Sequence, residues 1–503
     1  MRIANSDIHT KKDSTMRKRF EQQLGLGQLP IEATYIDPKS KNALDQLLAA
    51  LKAIYCNKEY NQKIFVILEG HINSGKKNTG RSGMDLWSIF VLAQVRLCLN
   101  LSYDVLHDLA NNHHNMRCLM GVEKGFCYER IEFEYQNIYD NVTLLSDKIV
   151  SELNQVILDF GHGEVFKKKE LTALRLKSDS FAVESNVHFP TDYNLLWDCV
   201  RKCLGTVSRI MNKHKDIEGW RKIGNWKTEI KSLMRNLGQA NRSGGKNKKE
   251  KVVAAAEKYL SKSRLLLTKL NEEKPMFPLN DMGDMALIIT LEYYMELLEK
   301  HIDLVDRRIL KGETIPHVEK MFSIFETYTE WITKGKMNPS VELGKKLNIT
   351  TDQWGLIVDY QIMDGQQDRD IVIEIADRIL PKYNVASWSF DKGYWLKENK
   401  EILQLVVAQV IIPKLGKRNK QEEEEEHGRS FKKLKNKHSA IESNINELEH
   451  RGLDRCPDRG FPHFKRYIGL AVCAYNLKKI GKQILKLERK SLEVATRPLK
   501  IVA

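Results

Sequence analysis

Three acidic residues stand in separate segments of the chain where carboxylate chemistry is possible. Asp179 ends one strand-like run, Asp391 ends another within Ser389-Phe-Asp-Lys-Gly393, and Glu442 lies on a late helix. Side chains at strand ends in α/β folds point into a crevice above the sheet, where sites are common. Oxygen ligands from separate segments suit hard Mg²⁺, and two such ions can share one bridging carboxylate. These residue types are therefore compatible with metal-dependent chemistry.

Each of these acidic residues also has a structural interpretation. Asp391 before Lys-Gly is typical of a turn, and Asp179 is compatible with a loop cap. Ser439-Ala-Ile-Glu442 has the pattern of a helix capping box, with Ser439 as N-cap and Glu442 reaching back to it. Spacing alone favours these structural roles over a shared site.

The tripeptide Glu-Ser-Asn occurs twice, in Ala182-Val-Glu-Ser-Asn-Val187 and in Ala440-Ile-Glu-Ser-Asn-Ile445. The first copy continues a strand-like segment. The second opens a helix whose apolar stripe leaves Glu442 on another side. The different periods exclude an internal repeat, and we interpret Glu184 as a supporting or structural carboxylate.

The predicted elements indicate an α/β domain interrupted by a helical block. Strand patterns occupy residues 174–179, with Phe181 and Val183 continuing the first, and residues 341–344, 355–360, 385–391 and 405–412, with a helix at 371–379. The block from about 193 to 341 is helical and basic. One interrupted domain is simpler than two sheets with too few strands each. Residues 416–437 read as a mobile charged linker, followed by helices at about 439–449 and 464–487.

Charge and composition favour a polyanionic partner. The 503 residues carry a net charge of +15, with 42% hydrophobic and 29% charged residues. Residues 242–269 alone contain nine Lys or Arg against two Glu. Such an excess favours nucleic acid, although a basic protein without that partner is the alternative. No apolar run is long enough for a bilayer, and eight scattered cysteines without a C-x-x-C pair suit a reducing cytosol.

Two shorter patterns are weak signals. Gly70-His-Ile-Asn-Ser-Gly-Lys76 follows a strand-like run at 64–68 and is similar to a P-loop, but Lys77 replaces the required Ser or Thr. The breaker-rich residues that follow also resist the helix that a P-loop needs. His113-His114 has no carboxylate or cysteine at ligand spacing, so we interpret it as a polar loop.

The longest motifs resemble a known family. Asn436-Lys-His-Ser-Ala-Ile-Glu-Ser-Asn-Ile-Asn-Glu-Leu-Glu-His-Arg-Gly-Leu-Asp-Arg-Cys-Pro457 resembles the carboxy-terminal signature of bacterial insertion-sequence transposases of the DDE type. The segment from Gly460-Phe-Pro-His-Phe-Lys-Arg-Tyr467 onward is also similar, as are Ser389-Phe-Asp-Lys-Gly-Tyr394 and Ser180-Phe-Ala-Val-Glu-Ser-Asn186. Together these similarities extend over most of the chain.

The resemblance implies an RNase H-like fold with a catalytic Asp-Asp-Glu triad. Carried over by position, the triad is Asp179, Asp391 and Glu442, which would bind two Mg²⁺ ions, with Mn²⁺ as an alternative. The implied reaction cuts DNA at the ends of an insertion sequence, and the freed 3′-OH then attacks target DNA. An RNase H-like nuclease without strand transfer and a catalytically inactive DNA-binding derivative are the alternatives.

The resemblance also implies a domain organisation and partners. We expect an N-terminal helical accessory region (1–75), a helical DNA-binding domain (76–165), a catalytic domain (166–200 plus 340–490) and a basic helical insertion (201–339). The expected partners are terminal inverted repeats and target DNA, bound by a homodimer or higher oligomer in the bacterial cytoplasm near the nucleoid. Candidate DNA contacts near the triad are Lys392, Lys414, Lys417, Arg418 and His438.

Overall fold

A computed structural model describes residues 17–19, 28–76, 83–124, 130–169, 172–333 and 341–495. Contacts divide the described chain into two compact units. One unit, here called the helical unit, comprises residues 187–331. The other, the sheet unit, comprises the described residues before 187 and after 331. Within the described ranges, no helix has both the length and the apolar character that a membrane span requires.

The sheet unit begins with helices that precede its first strand. They are α1 (Ala43–Cys56), α2 (Lys58–Ile72), α3 (Leu86–Cys98), α4 (Tyr103–Asn112), α5 (His114–Leu119), α6 (Tyr135–Val142) and α7 (Asp147–Phe160). Polar side chains fix their starts: Asp85, Ser102 and Ser146 each accept a hydrogen bond from a backbone N–H in the first turn. Helix α3 is buried along its whole length, as expected for a helix that is apolar on every side.

The strand-like run before the P-loop-like segment is not a strand and belongs to the expected N-terminal helical region. Residues 64–68 lie inside α2, where Ile64, Phe65 and Leu68 form a buried stripe. A short apolar run has no period of its own, and here helical packing determined its structure. Lys77 lies outside the described residues.

One mixed sheet forms the centre of the sheet unit. Its strands are β1 (Leu174–Glu184), β2 (Glu330–Thr333), β3 (Val341–Thr351), β4 (Ile357–Ile362), β5 (Val385–Phe390) and β6 (Gln409–Ile411). The order is β2-β3-β1-β5-β6, with β4 also paired to β3. β1 runs antiparallel to β3 and parallel to β5, and β5 runs parallel to β6. The predicted mixed α/β class is therefore confirmed.

The helical unit lies in the sequence between β1 and β2. Its long helices are α8 (Asp192–Lys213), α9 (Ile223–Arg242), α10 (Lys248–Glu273) and α11 (Met282–Val305). They enclose an apolar core of their own that includes Trp220, Tyr259 and Leu298. The basic residues of this block therefore lie on helices that a packed core holds together.

Six further helices complete the sheet unit. They are α12 (Val372–Ile379), α13 (Lys397–Val406), α14 (Lys420–His427), α15 (Arg429–His438), α16 (Ala440–Leu448) and α17 (Phe461–Ala495). Helix α17 packs against α1, α3 and α7, and most of its residues from 464 to 480 are buried. It is the central helix against which the amino-terminal helices fold.

Two predictions for this region are wrong. The predicted linker at 416–437 is instead α14 and α15, because Asn419 and Glu422 form a reciprocal capping box at the start of α14. The predicted strand at 405–412 is mostly not a strand: Leu405 and Val406 end α13 with exposed side chains, and β6 covers three residues. The apolar run is thus divided between a helix end and a short strand.

Candidate active site

The register of β1 and β5 places Asp179 beside Asp391. Ser178 of β1 pairs with Phe390 of β5 in parallel register, and the two aspartates are the next residues along. Neighbouring strands lie about 4.8 Å apart, and residues in register point to the same side. Asp179 lies inside β1 and not at its end, because β1 continues to Glu184 in pairing with β3, as the strand-favouring Phe181 and Val183 predicted. What ends at Ser178 is the pairing with β5, so the sheet opens beside Asp179.

Asp391 is exposed in the first position after β5. It precedes a short 3₁₀ turn, Lys392–Tyr394, as the turn interpretation predicted. Its side chain makes no capping hydrogen bond to that turn. The carboxylate is therefore not used by the turn.

Glu442 projects from α16, and the capping box predicted for it does not form. Ser439 has a helical backbone (φ −54°, ψ −17°) and no side-chain cap, because α15 runs almost directly into α16. Its hydroxyl instead donates to the carbonyl oxygen of Asn436 at 2.9 Å. Glu442 is exposed, while buried Ile441 and Ile445 hold the other side of α16, which packs against β1.

The three predicted carboxylates share one electrostatic environment. The pKa of Asp179 is raised to about 7, first by burial and then by the negative charges of Asp391, Asp368 and Glu442. The backbone N–H of Ser180, which donates to Asp179 Oδ1 at 2.8 Å, opposes this rise in pKa. Asp391 at the end of β5 and Glu442 on α16 thus lie close enough to Asp179 to disfavour its negative charge.

Asp368 is a fourth carboxylate that the sequence did not indicate. The hydroxyl of Ser180 donates to its Oδ1 at 2.6 Å, and Lys346 Nζ lies 3.3 Å from its Oδ2. Its segment, Asp364-Gly-Gln-Gln-Asp368, is typical of a turn, so no pattern distinguishes it. The pairing with Lys346 partly neutralises Asp368, which suits a positioning role more than a ligand role.

Glu184, in the first Glu-Ser-Asn copy, contributes backbone hydrogen bonds at the end of β1. Its N–H donates to the carbonyl oxygen of Asp454 at 2.9 Å, and its carbonyl accepts from the N–H of Cys456 at 2.8 Å. The segment that follows α16 is thereby attached to β1. This contact fixes the position of the segment that follows Glu442 relative to the strand that carries Asp179.

His438 lies beside the carboxylates as a neutral histidine. Its Nδ1 is 3.1 Å from the hydroxyl oxygen of Ser389. Burial lowers the pKa of His438 to about 4, and nearby Asp391 only partly offsets that effect. The imidazole is therefore uncharged near pH 7, and it can contact phosphate only as a hydrogen-bonding group.

The four predicted cationic contacts fall into two groups. Lys392 and Lys417 are exposed and form no ion pair with any described residue. Lys414 Nζ lies 2.6 Å from a carboxylate oxygen of Glu422, and Arg418 Nε lies 2.8 Å from one of Glu426. Two of the four candidate phosphate contacts are thus already neutralised.

The chemistry of the site fits a divalent cation. Its donors are carboxylate oxygens, the ligands that Mg²⁺ prefers, and a bound cation would relieve the repulsion that raises the pKa of Asp179. Among the described residues, however, no group of three or more His, Cys, Asp or Glu lies close enough together to hold a metal. The carboxylates are therefore neighbours without being gathered at ligand distance.

A mixed α/β sheet is compatible with the RNase H-like fold that the resemblance to DDE transposases implies. Residues 304–477 match the protein family described as Transposase DDE domain. This match confirms the predicted resemblance over a segment that includes Asp391 and Glu442, and it supports a general role in DNA transposition. Comparison with curated proteins and with solved structures gave no significant match.

Proposed function

We propose that this protein is a DNA transposase that cuts the ends of an insertion sequence and joins them to target DNA. The proposed active site is Asp179, Asp391 and Glu442 in an RNase H-like domain. The carrying observation is the register of β1 with β5, which sets Asp179 beside Asp391, and the raised pKa of Asp179 near the charges of Asp391 and Glu442 supports it. Perturbed carboxylates of this kind are concentrated at functional sites.

The three carboxylates have different roles in the proposed reaction. Two Mg²⁺ ions, when bound, would activate the attacking oxygen and stabilise charge on the scissile phosphate. Asp179 is held by the sheet and by the N–H of Ser180, so it is the fixed ligand. Asp391 and Glu442 are exposed and have no competing hydrogen bond or ion pair among the described residues, so they are available as the other ligands.

The surrounding residues position DNA in this proposal. Lys392, next to Asp391 and unpaired, is suited to contact the backbone of the cleaved strand. Helices within 76–165 would bind the terminal inverted repeats, with 1–75 as an accessory region. The predicted insertion (201–339), most of which lies in the helical unit, would interrupt the catalytic domain (166–200 plus 340–490) and hold flanking DNA. A dimer or higher oligomer would pair the two ends.

The DNA-binding derivative without catalysis has one observation in its favour. The described carboxylates are not gathered at ligand distance. A nuclease without strand transfer would use the same residues as the transposase, so only its products distinguish it.

The first test is the substitution Asp391→Asn. It removes one negative charge from the site without changing side-chain size, so Mg²⁺-dependent cleavage of element ends should fall at least about 10³-fold. End binding, measured in EDTA, should remain largely intact. Asp377→Asn is the matched control, because Asp377 is exposed on α12, an element that carries no member of the proposed triad. Full cleavage by the Asp391→Asn variant would contradict the triad assignment.

The second test separates the candidate functions by their products. The DNA on either side of the gene should contain imperfect inverted repeats flanked by a short direct duplication, which supplies the substrate. Supercoiled DNA that carries those ends should be both cut and joined by a transposase. Cutting without joining would favour the nuclease. Binding without cutting, together with the absence of repeats, would favour the inactive derivative.

A further inference from the structure

The acidic run 422–426 forms one turn and a half of helix α14, and it uses one face to bind cations. Glu422 pairs with Lys414 at 2.6 Å. Glu425 pairs with Lys400 at 2.8 Å. The third pair joins Glu426 and Arg418 at 2.8 Å. Since positions i, i+3 and i+4 lie on the same side of a helix, these three glutamates form a single anionic face.

The opposite face of α14 is free of such contacts. Glu423 and Glu424 are exposed and form no ion pair with any described residue. Helix α14 also has no buried residue. Ion pairs and a capping box, rather than an apolar core, therefore hold α14 in place, and such contacts weaken as salt rises.

The three cations come from segments that neighbour the candidate active site. Lys400 comes from α13, and Lys414 and Arg418 follow β6. Strand β6 is the parallel neighbour of β5, which ends next to Asp391. The Lys414 ammonium also lies 5.5 Å from the ring centroid of Trp395, shortly after Asp391 in the chain. We call Lys400, Lys414 and Arg418 the covered cationic surface.

We propose that the covered cationic surface is a binding surface for the phosphate backbone of DNA, and that α14 occupies it as an internal polyanion until DNA displaces it. This inference rests on the proposed function. A row of carboxylates on one helix face meets the same cations that a row of phosphates would meet. Because no apolar contact would be lost from buried side chains of α14, displacement exchanges one set of charge pairs for another.

The test compares two double substitutions that remove the same charge from the same helix. Glu422→Gln/Glu426→Gln frees Lys414 and Arg418, whereas Glu423→Gln/Glu424→Gln frees no paired cation. Gln retains the acceptor for the capping box with Asn419 and for the backbone N–H of Lys414, so α14 should still fold. Binding of a short non-specific duplex is measured in EDTA over a series of salt concentrations.

The Glu422→Gln/Glu426→Gln variant should bind roughly tenfold more tightly at low salt than the Glu423→Gln/Glu424→Gln variant. Its plot of log affinity against log salt should be steeper by about 2, because each extra phosphate contact adds about 0.9. Adding Lys414→Gln/Arg418→Gln to it should reverse both effects. If the two double variants have equal affinities and equal salt slopes while the wild type binds DNA, this inference is overturned and the proposed function still stands. Absence of binding by every variant and by the wild type would overturn both.

Discussion

The raised pKa of Asp179 is a measure of how unfavourable its carboxylate charge is without a cation. Burial and three like charges, with opposition from only one backbone N–H, bring the pKa to about 7. A divalent cation that interacts with Asp179, Asp391 and Glu442 would reverse the like-charge contribution. The stability of the sheet unit should therefore depend on Mg²⁺.

The corresponding prediction concerns Asp179→Asn. Millimolar Mg²⁺ should stabilise the wild type by roughly 1–3 kcal/mol, the range expected when a ligand is present well above its dissociation constant. The Asp179→Asn variant should lose that gain, whereas Asp377→Asn should keep it. Thermal unfolding with MgCl₂ and with EDTA measures both. An equal Mg²⁺ effect in wild type and the Asp179→Asn variant would argue against a cation at this carboxylate.

A second residue-scale prediction concerns His301 in the helical unit. His301 is 1% exposed, and neither ring nitrogen has a hydrogen-bond partner among the described residues. Burial, with a smaller effect of Lys300, lowers its pKa from 6.5 to about 4. Because the folded state disfavours the charged form, stability should be full above pH 6.5 and fall as pH drops towards 4, by about 2 kcal/mol at pH 5.

The measurement is hydrogen exchange of α11 amides between pH 5 and 8, corrected for intrinsic exchange. His301→Leu removes the titrating group without breaking a hydrogen bond, so the pH dependence of protection should decrease. Exposed His317 in the same unit provides the His317→Leu control, which should retain the wild-type profile. An unchanged profile in the His301→Leu variant would exclude His301 as its cause.

At the scale of elements, the contact between α17 and α1 depends on Gly481. A Cβ atom built at Gly481 would lie 1.6 Å from the carbonyl oxygen of Gln46 and 3.2 Å from the N of Ala50. Gly481→Ala must therefore push the two helices apart, at a cost of about 1–3 kcal/mol. The same substitution at Gly70 in α2 meets nothing within 4 Å and should be neutral or slightly stabilising.

Chemical unfolding of both glycine variants tests this packing. The midpoint should fall for Gly481→Ala and not for Gly70→Ala. A similar loss in both variants would contradict the assignment of the effect to the close approach of α17 and α1, because Ala favours the helix over Gly at both positions. Since α17 also packs against α3 and α7, its displacement should loosen the whole amino-terminal helical layer.

At the scale of the whole molecule, the net charge is +15, and the cationic side chains differ in whether they have an ion-pair partner. Lys248, Lys249 and Lys251 at the start of α10 are exposed and have no ion pair among the described residues. Lys274 and Lys311 of the same unit pair with Glu292 at 2.8 Å and with Asp306 at 3.1 Å. The unpaired lysines are the ones available to DNA phosphates.

Lys248→Gln/Lys249→Gln should therefore weaken non-specific duplex binding and lower the magnitude of its salt slope by about 2. Lys274→Gln/Lys311→Gln removes the same charge from residues that already have partners and should change the slope less. Duplex titrations at several salt concentrations compare the two. Equal slopes in both variants would show that only total charge matters and that the start of α10 is not a contact surface.

The sequence by itself determined the features that depend on local pattern. The sequence alone shows the alternation in β1 and the helical stripe of α16. It also shows the basic character of 242–269 and the long motifs that resemble DDE transposases. Local pattern failed where a helix and a strand are both compatible with the same residues, as in the apolar run 405–412. It also failed for the charged run 422–426, which lies in a helix that a capping box starts and that ion pairs with Lys400, Lys414 and Arg418 hold in place.

Only the tertiary structure decided which groups meet. The register of β1 with β5 sets Asp179 beside Asp391, and folding adds Asp368, which no motif marks. Burial lowers the pKa of His438 to about 4, and α14 forms ion pairs with Lys414 and Arg418, two of the predicted DNA-binding cations. Strand register, burial and ion pairing join residues far apart in the chain. A sequence pattern reports the period of neighbouring residues and carries no information about such distant partners.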